Sequence, residues 1–173
     1  MVKVNLTIGV LSFFLSVVLT SCSIIQENTV STRAETEALT EEDQLRQEIV
    51  AYAKEQLGAR YRYAGKDPRG FDCSGFTYYV MNKFDIELPP SSKYQEDEGR
   101  SIKIADVKAG DLVFFRRVKV GKPFHVALVV ANDRDGLQVI HSTSRGVVID
   151  NITKSSYWKN KVSSARDVVS VNI

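Results

Sequence analysis

Near residue 110 the spacing of apolar side chains changes period, and this change constrains the fold more than any other feature of the chain. Before it, Leu45, Ile49, Tyr52, Ala53 and Leu57 recur at three- and four-residue intervals, the repeat of a helix with one buried face. Gly58 ends that pattern, and residues 61–70 read as a loop on the strength of Gly65, Pro68 and Gly70. A second helical stripe follows in Phe76, Tyr79, Val80 and Phe84, with Asp72 where a side-chain oxygen caps a first turn. Leu88-Pro89-Pro90 breaks the chain, and residues 91–98 are predicted as a short helix capped by a serine. Beyond residue 110, segments 112–115, 124–130, 138–141 and 147–149 are short and rich in β-branched and aromatic residues. The turn signals between them are Gly121-Lys122-Pro123, Asp133 to Gly136, and Arg145-Gly146, with Gly110-Asp111 ahead of the first strand. Such short connections cannot hold crossover helices, so the sheet is expected to be antiparallel, with a last strand near 168–171. Helices first and a meander of strands second predicts an α+β domain.

The N-terminus differs in kind. Lys3 carries the one early positive charge, and residues 6–19 are almost wholly apolar. That run is shorter than the roughly 20 residues a bilayer span needs, and it fits a secretory signal peptide over residues 1–21. Leu19-Thr20-Ser21-Cys22 resembles the lipobox of bacterial lipoproteins, in which cleavage leaves the cysteine first and its thiol and amine are acylated. Each buried methylene of an acyl chain contributes about 0.8 kcal/mol, so two or three chains at Cys22 would hold the protein on a membrane. Ser23, rather than an aspartate, follows the cysteine, which directs the expectation to an outer membrane facing the periplasm. Residues 22–43, poor in large apolar side chains, are expected to form a tether, and the folded domain to occupy 44–173. Extended at about 3.3 Å per residue, some 20 residues of such a tether reach about 65 Å.

The 173 residues leave room for one domain and this appendage. A net charge of +2, with no basic stripe interleaved with aromatics, argues against nucleic acid as a partner. The chain has two cysteines, and a lipid at Cys22 leaves Cys73 alone in a compartment where thiols usually pair. Cys73 lies at the first turn of the helix that Asp72 caps, where free N–H groups and the helix dipole favour negative charge. That placement is expected to lower its thiol pKa and to enrich the nucleophilic thiolate. A buried structural cysteine is the other reading of the same position. Both histidines lie in the strand-rich half. Alternation puts His125, Ala127 and Val129 on one strand face and His141 on the same face as Val139. Two imidazoles on neighbouring strands can meet, one orienting the other beside a thiol. Satisfied core histidines, or a metal-binding pair, are the alternatives. There is no H-E-x-x-H and no cluster with zinc spacing, and neither metal nor cofactor is expected.

These residues also carry a resemblance. Tyr61-Arg62-Tyr63-Ala64-Gly65 and Gly70-Phe71-Asp72-Cys73-Ser74-Gly75-Phe76 resemble the signature of the NlpC/P60 family of cell-wall peptidases. So do Leu88-Pro89 with Ser91-Ser92, Gly110-Asp111-Leu112-Val113-Phe114-Phe115, His125-Val126-Ala127, and Ile140-His141-Ser142-Thr143-Ser144. The likeness runs from about Ile49 to Arg166. It implies a papain-like α+β fold and hydrolysis of amide bonds in peptidoglycan peptides, within stems or across their cross-links. It also implies that Cys73 attacks the carbonyl, that His125 moves the proton and that His141 orients His125. Tyr61 is implied at the oxyanion site together with the Cys73 backbone N–H. Asp72 and Ser74 are implied as substrate-anchoring groups, although Asp72 serves equally as a cap. Many relatives have Gly-Gly where Ala64-Gly65 stands here, and the extra methyl is expected to narrow the loop. Tyr157-Trp158 is similar to a pair found in lipoprotein murein endopeptidases, and core packing is its simpler explanation.

Two other functions remain compatible with these residues. A papain-like amidase or acyltransferase would use the same triad in a different groove. A wall-binding lipoprotein without catalysis is expected to lack one of Cys73, His125 and His141, and all three are present. The expectation is a monomeric, lipid-anchored enzyme of the cell envelope.

Overall fold

A computed structural model describes residues 39–172. The expected signal peptide, Cys22 and most of the tether lie outside the described residues. The first helix, α1, spans Glu41–Lys54 and starts three residues ahead of the expected Gln44. Its start is set by Thr40 and Asp43, which form a reciprocal capping box that satisfies free N–H groups at both positions. Ile49, Val50 and Ala53 make its buried stripe.

The loop expected at 61–70 contains a small hairpin, β1 (Lys66–Asp67) against β2 (Gly70–Phe71). Helix α2 spans Cys73–Asn82 and is capped by Asp72, whose carboxylate accepts from Gly75 N at 2.6 Å. Helix α3 is shorter than expected, Ser92–Gln95. Ser91 stands at its N-cap but makes no side-chain bond there. The helix is instead latched through the buried Gln95, which donates to Ser74 O at 3.0 Å and Pro89 O at 2.8 Å.

The remaining strands form one antiparallel sheet. They are β3 (Arg100–Ile102), β4 (Leu112–Phe115), β5 (His125–Asp133), β6 (Gly136–Thr143), β7 (Gly146–Asn151) and β8 (Val162–Asp167), in the order β3-β8-β4-β5-β6-β7. Strand β3 was not foreseen. The last strand lies at Val162–Asp167, ahead of the apolar 168–171 segment expected for it. The reason is register. β8 is held between β3 and β4, pairing Ala165 with both Ile102 and Val113, so backbone pairing fixes a strand whose side chains are largely small and polar. Asp167 then accepts from Val169 N at 3.2 Å and Ser170 N at 3.0 Å and turns the chain out of the sheet. Val168 and Val169 are buried beside that turn.

Both faces of the sheet are covered, which is why β4 reads as a continuous apolar run. Leu112, Phe114, Val126, Leu128 and Ile140 face α1 and α2. Val113, Phe115, Ala127, Val129, Val139 and Ala165 face the other way, under Ile152 and Trp158. Buried Arg46 ties α1 to the sheet, donating to Asp111 Oδ1 and Asp167 Oδ1 at 2.8 Å each and to Glu42 at 2.7 Å. Two buried carboxylates are thus paired with one buried guanidinium rather than left unpaired.

Candidate active site

Cys73 reaches the sheet because the backbone around it is packed without side chains. A Cβ on Gly75 would lie 1.9 Å from Gly65 O, and one on Gly65 would lie 2.2 Å from Gly70 O. Only glycine allows the hairpin to lie on the first turn of α2 at this distance. Asp72 N donates to Gly65 O at 3.0 Å, which locks the loop to the helix start. Ala64 stands in left-handed conformation at φ 55°, which explains why a glycine there is the easier residue.

His125 begins β5, next to Phe124, on the sheet face of Ala127 and Val129, as alternation predicted. Leu128 pairs with Ile140, and extending that register sets His141 beside Ala127, two residues from His125 on one face. The imidazoles meet: His125 Nε2 and His141 Nδ1 are 2.9 Å apart. His141 Nε2 in turn lies 3.0 Å from Asp150 Oδ2, a group for which the strand pattern carries no signal. Asp150 sits opposite Val139 in β7, so it lies diagonally from His141 across the β6–β7 ladder. Arg145 donates to the same carboxylate oxygen.

Trp158 covers both imidazoles. Its ring stacks on His125 with centroids 4.7 Å apart and lies 5.1 Å from His141, while Phe115 and Phe124 flank it. His141 is fully buried and His125 almost so. Burial, aided by the neighbouring His141, pushes the His125 pKa down to about 3. Burial also lowers His141, against the opposing pull of Asp150. Both rings are therefore neutral at physiological pH.

The thiol departs from expectation. Burial pushes the Cys73 pKa up, and the backbone N–H groups of Val126, Ser74 and Cys73 itself do not offset it. The helix start supplies the favourable N–H groups that were expected, but removal from water outweighs them. The resting pair is thus a neutral thiol and a neutral imidazole. No hydrogen bond among the described residues joins Cys73 to His125; both line one cavity of about 700 Å³. Catalytic contacts commonly tighten only when substrate is bound.

Tyr61, Phe124, Trp158 and the half-exposed Tyr157 line the same cavity, with Arg117 and Arg145 as its basic groups. Tyr61 is held there by a bridge to Phe71 and lies close enough to Cys73 and Asp72 for their charges to add to burial in raising its pKa. Asp72 and Ser74 do not line the cavity. Asp72 is occupied as the α2 cap, and Ser74, buried, donates its hydroxyl to Asp72 at 3.2 Å. The pair builds the turn that presents the thiol. The Tyr157-Trp158 pair divides, Trp158 packing on the imidazoles and Tyr157 facing the cavity.

Comparison with known proteins identifies the family of the chain. The profile of the NlpC/P60 family matches residues 58–167. The chain is 40% identical over 159 residues to gamma-DL-glutamyl hydrolase of Bacillus subtilis, an alignment covering 90% of this chain and 36% of that protein. It is 38% identical over 115 residues to the murein DD-endopeptidase MepS/murein LD-carboxypeptidase of Escherichia coli, covering 65% of this chain and 57% of that one. The chain therefore spans between about a third and three fifths of the length of these curated relatives. Among solved structures, an NlpC/P60 family protein from Bacillus cereus superposes with a TM-score of 0.66 at 28% identity, covering 72% of this chain and 40% of that one. The NlpC/p60 domain of the peptidoglycan hydrolase SagA gives 0.60 at 31% identity, covering 70% and 97%. With its α+β sheet, its helix-borne cysteine and the paired histidines of β5 and β6, the chain belongs to the NlpC/P60 family.

Proposed function

We propose that this protein is a cysteine peptidase that hydrolyses amide bonds of peptidoglycan peptides. The observation that carries the reading is that His125, paired at 2.9 Å with the buried His141, lines the same cavity as Cys73. Relatives named as a murein endopeptidase and as a gamma-DL-glutamyl hydrolase support an acidic peptide as substrate. Arg117 and Arg145 on the cavity wall fit its carboxylates.

In the proposed reaction the Cys73 thiol gives its proton to His125 as sulfur attacks the substrate carbonyl. The proton transfer and the attack are coupled, because burial disfavours each charge alone and each stabilises the other once formed. The negative oxygen of the tetrahedral intermediate is received by the Cys73 backbone N–H and the Tyr61 hydroxyl. The N–H belongs to the first turn of α2, where intrahelical partners are lacking. Collapse breaks the carbon–nitrogen bond, and His125 returns its proton to the leaving amine. Water, deprotonated by His125, then hydrolyses the thioester and restores the thiol. His141 holds the plane of His125 throughout. Asp72 and Ser74 support the reading as builders of the turn that presents Cys73 and the substrate-facing helix start.

Lipidation at Cys22 is part of the same proposal. It places a monomeric domain on a tether at the envelope, on the outer membrane facing the wall, with the membrane and peptidoglycan peptides as its two partners. Fractionation of a Cys22→Ala variant tests the anchor: release from membranes is expected, and unchanged membrane association removes it.

The decisive experiment is digestion of purified muropeptides by the full chain, read by mass spectrometry beside Cys73→Ala. A product heavier by one water in total, absent with the variant, is expected. No product from folded protein whose thiol still alkylates would favour an amidase or acyltransferase of other substrates. No product and an inert thiol would favour a non-catalytic wall-binding lipoprotein.

A further inference from the structure

Two hydrogen bonds in series fix more than the position of the histidines. A carboxylate has no proton to give, so the contact between Asp150 Oδ2 and His141 Nε2 at 3.0 Å requires a proton on that nitrogen. Asp150 is ionised: burial acts upward on it, but the His141 hydrogen bond and the charges of His141 and Arg145 outweigh burial and hold it below the usual carboxylate range. His141 is neutral and carries one ring proton, so its Nδ1 is bare and can only accept. The 2.9 Å contact then requires His125 Nε2 to donate. His125, neutral as well, has used its one proton in that bond, which leaves its Nδ1 as a free lone pair.

We propose that Asp150 is a positioning residue that sets the tautomers of both histidines, so that His125 meets the Cys73 thiol with an unprotonated Nδ1. Without Asp150 the chain can run the other way. His141 then carries its proton on Nδ1 and donates to His125 Nε2, and the His125 proton moves to Nδ1, where it blocks acceptance of the thiol proton. Asp150 also supplies a negative charge, two bonds removed, for the imidazolium that forms as the thiol reacts. Arg145 clamps the same oxygen from the cavity side and keeps the carboxylate aimed at His141. The placement is unusual for strand β7, since aspartate is disfavoured in strands, and a fully buried His141 would otherwise leave its Nε2–H without a partner.

This inference rests on the peptidase reading for its kinetic arm and is independent of it in its spectroscopic arm. The chain has two histidines, so full-chain protein labelled with 15N at histidine gives two side-chain systems that report tautomer directly. Both are expected as Nε2–H in the native protein. In Asp150→Ala, His125 is expected to shift toward Nδ1–H, and kcat/KM on muropeptides to fall about tenfold to a hundredfold. In Asp150→Asn, whose carbonyl can still accept from His141 but brings no charge, the tautomer is expected to be kept in part and the loss to be smaller. Asn also preserves shape, so it carries the test should the alanine variant not fold. Native-like Nε2–H tautomers in Asp150→Ala, or kcat/KM within twofold of the native protein, would overturn the assignment. Absence of any hydrolysis by the native protein would instead strike the peptidase reading and leave the tautomer measurement standing.

Discussion

The Trp158 indole stacks on the His125 imidazole with ring centroids 4.7 Å apart and planes 28° from parallel. This contact does two jobs. It removes the ring from water, the main cause of its low pKa, and it fixes the ring plane in which the His141 bond is made. Trp158 also touches Phe115, Phe124 and Tyr157, so one side chain joins the core under the sheet to the cavity wall.

Trp158→Ala is therefore expected to act on chemistry and on stability together. Readmitted water should raise the His125 pKa from about 3 toward its ordinary 6.5. The lost packing should cost about 3–5 kcal/mol. Histidine titration by NMR checks the first effect and denaturant unfolding the second. Trp158→Phe, which keeps a ring over the imidazole, should show less of both.

The neutral resting pair has its own signature. The alkylation rate of Cys73 against pH should have its midpoint above that of a free cysteine, because burial raises the thiol. A midpoint below the free value would mean that His125 already holds the proton in the resting protein, and that the pair rests as ions.

Stability should depend on pH through the same histidine. His125 titrates at about 3 in the fold and near 6.5 when unfolded, so between these values the unfolded chain binds more protons. The contribution of the neutral ring is fully present above pH 6.5 and is lost as pH falls toward 3. Thermal unfolding at pH 7 and pH 4.5 should thus show a smaller loss in His125→Gln than in the native protein. An equal loss in both would show that the imidazole is not kept neutral by folding.

Gly75→Ala tests the approach of hairpin to helix. Its methyl would meet Gly65 O at 1.9 Å, so the loop carrying Gly65 must move off the first turn of α2. A loss of about 3 kcal/mol or more is expected, because the contacted oxygen is backbone and the methyl is fixed directly to Cα, so neither can rotate away. Ala64→Gly works in the opposite sense. At φ 55° alanine bears a left-handed penalty that glycine escapes, and a gain of about 1 kcal/mol is expected in chemical denaturation.

Local chemistry along the chain already determined a good part of this protein. Apolar periodicity placed α1, α2 and four strands, and Asp72 marked the turn at which Cys73 starts α2. Strand alternation put His125 with Ala127 and Val129, and His141 with Val139, and the β5–β6 register then made these one face. These features depend on residues a few positions apart, where backbone preference and side-chain period act directly. What only tertiary structure decided depends on partners far away in sequence. β8 is a strand because β3 and β4 pair with both its edges, not because of its own apolar content. Asp150 acquires its place from a diagonal across the β6–β7 ladder, and no pattern in residues 147–151 distinguishes it from a solvated aspartate. The Cys73 thiol moves up rather than down because the sheet and loops remove water from it, and that desolvation exceeds what the helix start contributes. Periodicity tells which way a side chain points; how much water remains around it is settled only when distant segments pack.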